Sequence, residues 1–138
     1  MERDALSRIS REWVSLWCPS PRRSRFDALH ADEFADHSSA GRAPTKEAFW
    51  HGLMDLVTAF PDLDSRVDDL VIDESTCRVA VRWSARGTNR ARYLGKGPTH
   101  QVVHITGIEI IEIHGGRITD RWGEWDISDF MGAPGPTD

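Results

Sequence analysis

The chain has 138 residues, 39% of them hydrophobic and 28% charged, the balance of a soluble globular chain with one core and no room for a second. A formal net charge of −5 excludes general nucleic-acid affinity, which takes a concentrated excess of Lys and Arg. No segment approaches the roughly 20 apolar residues of a membrane span.

The opening "MERDALSRISREWVSLW" sets Leu6, Ile9, Trp13, Leu16 and Trp17 at three- and four-residue spacings, which predicts an amphipathic helix. "CPSPRR" ends it, and the basic cluster 21–25 reads as a solvated loop. A short helix is expected from about Ser24, then an extended stretch near Phe34 to His37. Thr45 suits the N-cap of a third helix over 46–60 with Phe49, Leu53, Leu56, Val57 and Phe60 on one side, stopped by Pro61. From there the period changes to alternation. Strands are expected at 63–73, 78–86, 101–113 and 117–126, with a polar loop at 88–100 and a hairpin turn at "HGG". "ISDFMG" suits a final turn, and the frayed tail covers 131–138. Helices first and then a strand meander predict an α+β domain over 1–138, three helices lying on a curved, mainly antiparallel sheet with a cavity between the layers.

Alternation puts Val103, Ile105, Gly107, Glu109, Ile111 and Ile113 on one face of the third long strand. A carboxyl among isoleucines has a raised pKa unless a cation or several donors compensate it. Glu109 therefore reads either as a pocket acid or as the partner of an arginine such as Arg82 or Arg121. On the last strand Ile118, Asp120, Trp122, Glu124 and Asp126 alternate with Arg117, Thr119, Arg121, Gly123 and Trp125. A bulge at Gly123 would exchange the faces beyond it, so parity alone does not say which acid points inward. One of Glu124 and Asp126 is expected to join Glu109, two carboxyls then holding different protonation states. For Asp126 the competing role is to cap "ISDF". His37, after the second helix, suits a proton relay or a satisfied, partly buried histidine. His51 and His104 are weaker candidates. Trp83, Trp122 and Trp125 read as core or as flat cavity walls.

No zinc or CxxC spacing surrounds Cys18 or Cys77, and neither phosphate-binding glycine motifs nor a nucleophile elbow occur. With no secretory signal in view, free thiols and a cytoplasmic location are expected.

The runs "FPDLDSRVDDLVIDESTCRVAVRWSARGT" (60–88) and "GPTHQVVHITGIEIIEIHGGRITDRWGEWD" (97–126), with "ADEFADHSS" (31–39), resemble the SnoaL-like polyketide cyclases of the nuclear transport factor 2-like superfamily. The resemblance implies a cone-shaped α+β fold, a homodimer packed through the outer sheet face, and an apolar pocket. It also implies aldol-type ring closure on a carbonyl compound such as a polyketide, with no metal and no cofactor and with an acid of the last long strand as base. Many such proteins carry Asp directly after the tryptophan of that strand, where this chain has Gly123 followed by Glu124 and Asp126. The roles expected on this basis are proton transfer by Asp126, Glu124, Glu109 and His37. Trp122, Trp83, Trp125, Phe49, Leu53 and Tyr93 are expected to hold the substrate. Two alternatives stand beside cyclisation or isomerisation. One is an epoxide or ester hydrolase or hydratase served by Asn89, Arg90 and Tyr93 in the 88–100 loop; the other is a non-catalytic ligand-binding accessory protein.

Overall fold

The computed structural model describes residues 2–132, so most of the expected tail, 133–138, lies outside the described residues. Helix α1 (Arg3–Val14) buries Leu6, Ile9, Trp13 and Val14, and the turn after it buries Leu16 and Trp17. The apolar stripe thus outlasts the helix itself. Helix α2 (Arg23–Leu29) runs straight into strand β1 (His30–Asp36), which begins at His30 rather than near Phe34. The cause is non-local: His30 takes its place in the sheet opposite Ile118. Helix α3 (Lys46–Ala59) starts at Thr45, whose hydroxyl accepts from the Ala48 N–H at 3.2 Å.

Strands β2 (Asp64–Asp73), β3 (Arg78–Thr88), β4 (Val102–His114) and β5 (Arg117–Asp126) form the expected meander. The curved, unclosed sheet has the order β1-β5-β4-β3-β2, antiparallel except for the parallel pair β1–β5. The helices cover one face of the sheet and enclose a core rich in aromatics, including Trp13, Phe26, Phe49 and Phe60. Helix α4 (Ser128–Met131) seats Phe130 against this core. No helix among the described residues is long and apolar enough to cross a membrane.

Strand β4 alternates strictly, its odd residues from Val103 to Ile113 buried toward the helices and its even residues facing outward. The register of β5 against it places Gly123 opposite Glu109, Arg121 opposite Ile111 and Trp125 opposite Gly107. An irregularity interrupts the pairing between Glu112/Asp120 and Ile113/Ile118, leaving Thr119 as the extra residue. The bulge that the sequence allowed at Gly123 falls instead at Thr119. Beyond it, Arg121, Gly123 and Trp125 face inward, while Asp120, Trp122, Glu124 and Asp126 share the outer face with Ile108 and Ile110.

Candidate active site

Glu109 and Asp36 are both almost completely buried, and each makes an ion pair with Arg121. Arg121 Nε donates to Glu109 Oε1 at 2.7 Å, and its Nη1 donates to Asp36 Oδ1 at 2.9 Å and to the Ser38 carbonyl at 3.3 Å. The second oxygen of Glu109 accepts two indole N–H groups, from Trp83 at 3.1 Å and from Trp125 at 2.6 Å. Burial pushes the Glu109 carboxyl above the ordinary carboxylate range, and the charge of Arg121 and the three donors pull against that rise. Burial also works against the Arg121 charge, but two carboxylates outweigh it and its pKa is raised. The result is a fixed guanidinium, with its Cζ over the Phe49 ring, 5.2 Å from the ring centre.

Gly123 makes this arrangement possible. A Cβ there would collide with Glu109 Oε1 and would come within 2.5 Å of Arg121 Nη2. The space left by that missing side chain is filled from the opposite strand by the carboxylate of Glu109. Ser38 closes the edge, its hydroxyl accepting from the Gly123 N–H at 2.9 Å.

Above Arg121 lies a cavity of about 420 Å³. Trp17, Phe49, Leu53 and Trp125 give it apolar walls, and Tyr93 and Leu94 reach in from the 89–101 loop. The charged or titratable groups on its wall are His37, Arg42, Arg121 and Glu124, besides the phenol of Tyr93. Among the described residues Arg121 Nη2 makes no hydrogen bond, and it lies beside Gly123, which lines this wall with Arg121. His37 stands beside Arg121, its backbone N–H donating to the Arg121 carbonyl at 2.9 Å. The His37 ring is stacked 4.4 Å from Trp122, with Nε2 2.9 Å from Asp120 Oδ1. Burial opposes the Asp120 charge, but the bonds from His37 and Thr119 lower its pKa. Among the described residues His37 Nδ1 has no hydrogen-bond partner, and the ring stays on the side of Trp122 and Asp120.

The profile of the SnoaL-like polyketide cyclases matches residues 8–133 of the chain. The chain belongs to that family. Among solved structures, the fold is similar to TsrD of Streptomyces laurentii, with a TM-score of 0.80 at 17% identity over 91% of each chain. It is similar also to IdmH of Streptomyces antibioticus, provisionally assigned as a polyketide cyclase, with a TM-score of 0.77 at 22% identity over 91% of this chain and 95% of that one. AusH of Aspergillus nidulans follows, with a TM-score of 0.71 at 18% identity over 91% and 86% of the two chains. Among curated proteins none matches the sequence.

Within this SnoaL-like fold the cavity brings together His37, Phe49, Leu53, Tyr93 and Trp125 of the residues singled out from sequence, with the exposed Glu124 at its rim. Glu109 lies one layer behind the wall, as the partner of Arg121 and not of a second strand acid. The second carboxylate of its network is Asp36, because the bulge at Thr119 turns Glu124 and Asp126 outward. Asp126 leads into the last turn without being its N-cap, which is Ile127: its Oδ1 accepts from the backbone N–H of Ser128 at 3.0 Å and from its hydroxyl at 2.6 Å, and these bonds lower its pKa. Trp122 lies on the outer face under Arg78, and Trp83 is buried at the back of the Glu109 network. Asn89, considered for positioning water, is fully buried and spends its amide on the Ala91 carbonyl and the Thr99 N–H, both at 2.7 Å, pinning the loop. Arg90 is exposed.

Arg121, Asp36, Ser38, Arg42 and Trp17 were not among the expected site residues. Arg121 was visible only as a possible partner for Glu109. The signal that finds it is its place two residues before Gly123, the glycine opposite Glu109. Among the described residues no group of three or more His, Cys, Asp and Glu side chains is arranged to hold a metal ion.

Proposed function

We propose that this SnoaL-like protein enolises an apolar carbonyl compound of the polyketide class and closes a ring or moves a double bond within it, without a cofactor. The observation that carries this reading is the Nη2 edge of Arg121, without a hydrogen bond among the described residues and held at an apolar cavity by two buried carboxylates. Such a donor is fixed before the reaction, so it stabilises developing negative charge without reorganising. His37, which lines the edge of the cavity, takes a proton from the carbon next to the carbonyl once its ring turns off Trp122 and Asp120 on the outer face, and the C–H electron pair moves onto the oxygen, which rests as an enolate on Arg121 Nη2. In the cyclisation the enolate carbon then attacks a second carbonyl of the same molecule, forming the C–C bond. The alkoxide that results takes the proton back from His37. In the isomerisation the proton returns to a different carbon. Asp120 holds the resting imidazole at the outer face, and Glu109 and Asp36 are positioning residues that act through Arg121. The same proposal includes a homodimer through the outer sheet face, supported by the exposed Val71, Val102, Ile108 and Ile110 there.

The test is hydrogen–deuterium exchange at the methyl group of 2-acetonaphthone in D₂O, followed by NMR. This reads proton abstraction whatever bond forms later. The wild type is expected to accelerate exchange, and His37→Asn to lower that acceleration about 10²- to 10⁴-fold, the range of general acid–base help. A wild type no faster than buffer, or a His37→Asn variant at full rate, overturns the mechanism.

A further inference from the structure

Helix α3 carries a glycine, Gly52, in its buried middle, where glycine costs about 1 kcal/mol relative to alanine. The structure shows what occupies the space. A Cβ on Gly52 would lie 2.7 Å from Arg42 Cζ, 2.8 Å from its Nη2 and 3.0 Å from its Nη1. The guanidinium of Arg42 is thus laid against bare helix backbone on the cavity wall. Other arginines near acids are paired, Arg23 with Asp27 and Glu47, Arg78 with Glu112, and Arg121 with Glu109 and Asp36. Arg42 has no ion pair and no side-chain hydrogen bond among the described residues. Its charge is close enough to Tyr93 to oppose the rise that burial imposes on that phenol. The Tyr93 hydroxyl likewise has no hydrogen-bond partner among the described residues. Two donors without partners among the described residues, the exposed guanidinium of Arg42 and the phenol of Tyr93, therefore line a cavity whose other arginine is Arg121 and whose lining carboxylate, Glu124, is exposed, while the Asp55 carboxylate lies near enough to Tyr93 to act on the phenol against Arg42.

We infer that the substrate is a keto acid: Arg42 and Tyr93 bind a carboxylate of the compound whose ketone rests on Arg121. A planar guanidinium matches a carboxylate through two parallel N–H···O bonds, which a methyl ester cannot accept with the same strength. The aromatic walls hold the apolar body between the two arginines. This inference rests on the enolisation proposed above, and it adds the acidic group that places the substrate.

The test uses ω-(2-naphthyl)-ω-oxo acids with chains of four, five and six carbons, each beside its methyl ester, titrated calorimetrically into the wild type and into Arg42→Gln. For the spacer that fits, the acid is expected to bind the wild type about tenfold tighter than its ester, one charge-assisted contact's worth. The gap narrows as salt rises. Arg42→Gln abolishes the gap by weakening the acid more than the ester, and Tyr93→Phe reduces it in part. Esters binding the wild type as tightly as acids overturn the inference, as does a gap that survives Arg42→Gln. Proton exchange next to the ketone of the same compounds separates the two proposals. Exchange without acid preference leaves enolisation standing and removes the role of Arg42. Acid preference without exchange keeps the keto-acid site and removes enolisation. No binding by either series removes both.

Discussion

His30 is one of the few polar side chains with no exposed surface, and every polar atom of its ring is used. Nδ1 lies 2.7 Å from the Phe26 carbonyl and Nε2 accepts the Trp13 indole N–H at 3.0 Å, which fixes a neutral ring protonated on Nδ1. Burial pushes its pKa down to about 4, from an ordinary value near 6.5. Because the folded value is the lower one, the unfolded chain binds the proton first as the pH falls. The contribution of His30 to stability is therefore full above pH 6.5 and is lost between pH 6.5 and 4, to a total of about 3 kcal/mol. Urea unfolding at pH 7.5 and 5.5 is expected to show the wild type losing about 1 kcal/mol more than His30→Gln, which keeps an acceptor for Trp13 and does not titrate. Equal losses in the two proteins would mean that the ring is not held neutral in the core.

Between β4 and β5 the decisive feature is the reach of one strand's side chain into a gap left by the other. Glu109 is held by Arg121 and two indoles, so it cannot swing away from a new methyl group at Gly123. Gly123→Ala is expected to cost about 3 kcal/mol, the upper end for overpacking, and to lower proton exchange on 2-acetonaphthone by displacing Arg121. A variant with unchanged urea midpoint and exchange rate would refute the packing described for this pair. The same pair shows what alternation makes legible in a sequence. Strand β3 declares its inner face because Val79, Val81, Trp83 and Ala85 alternate with Arg78, Arg82 and Arg86, and β4 alternates likewise except at Glu109. Strand β5 does not, since an arginine, a glycine and a tryptophan share its inner face while acids take the outer one. Thr119 has no property in the sequence that marks it as a bulge, and Gly123, which has one, is needed for space instead. The start of β1 was hidden for another reason: its parallel pairing with β5 is a contact across more than 80 residues. The core Arg121–Asp36 pair bridges the same two strands, so it was hidden with it.

At the scale of the whole molecule, the outer face of the sheet has an ordered pattern of charge. Arg78, Arg82 and Arg86 lie along β3, Asp120, Glu124 and Asp126 lie along β5, and Ile108 and Ile110 stand exposed between them on β4. A depression of about 470 Å³ runs between Arg82, Thr106, Ile108, Glu124 and Asp126. In a twofold dimer each copy presents the same patch, so the patch must complement itself. A twofold axis running along β4 meets that condition, because it lays the basic row of one copy over the acidic row of the other and buries the isoleucines at the centre. An axis across the strands would set arginines over arginines. The arrangement predicts a dimer at tens of micromolar protein in analytical ultracentrifugation. Ile110→Asp buries an unpaired charge at the centre and is expected to weaken the dimer at least about a hundredfold, some 3 kcal/mol. Arg82→Glu is expected to weaken it as well, by setting acid over acid, and Arg82→Glu with Glu124→Arg to restore it. Restoration by the exchange is what separates this geometry from any other apolar contact, since only rows that face each other across the axis exchange without loss. A monomeric wild type, or a double variant no tighter than Arg82→Glu alone, would remove the proposed pairing of the sheets.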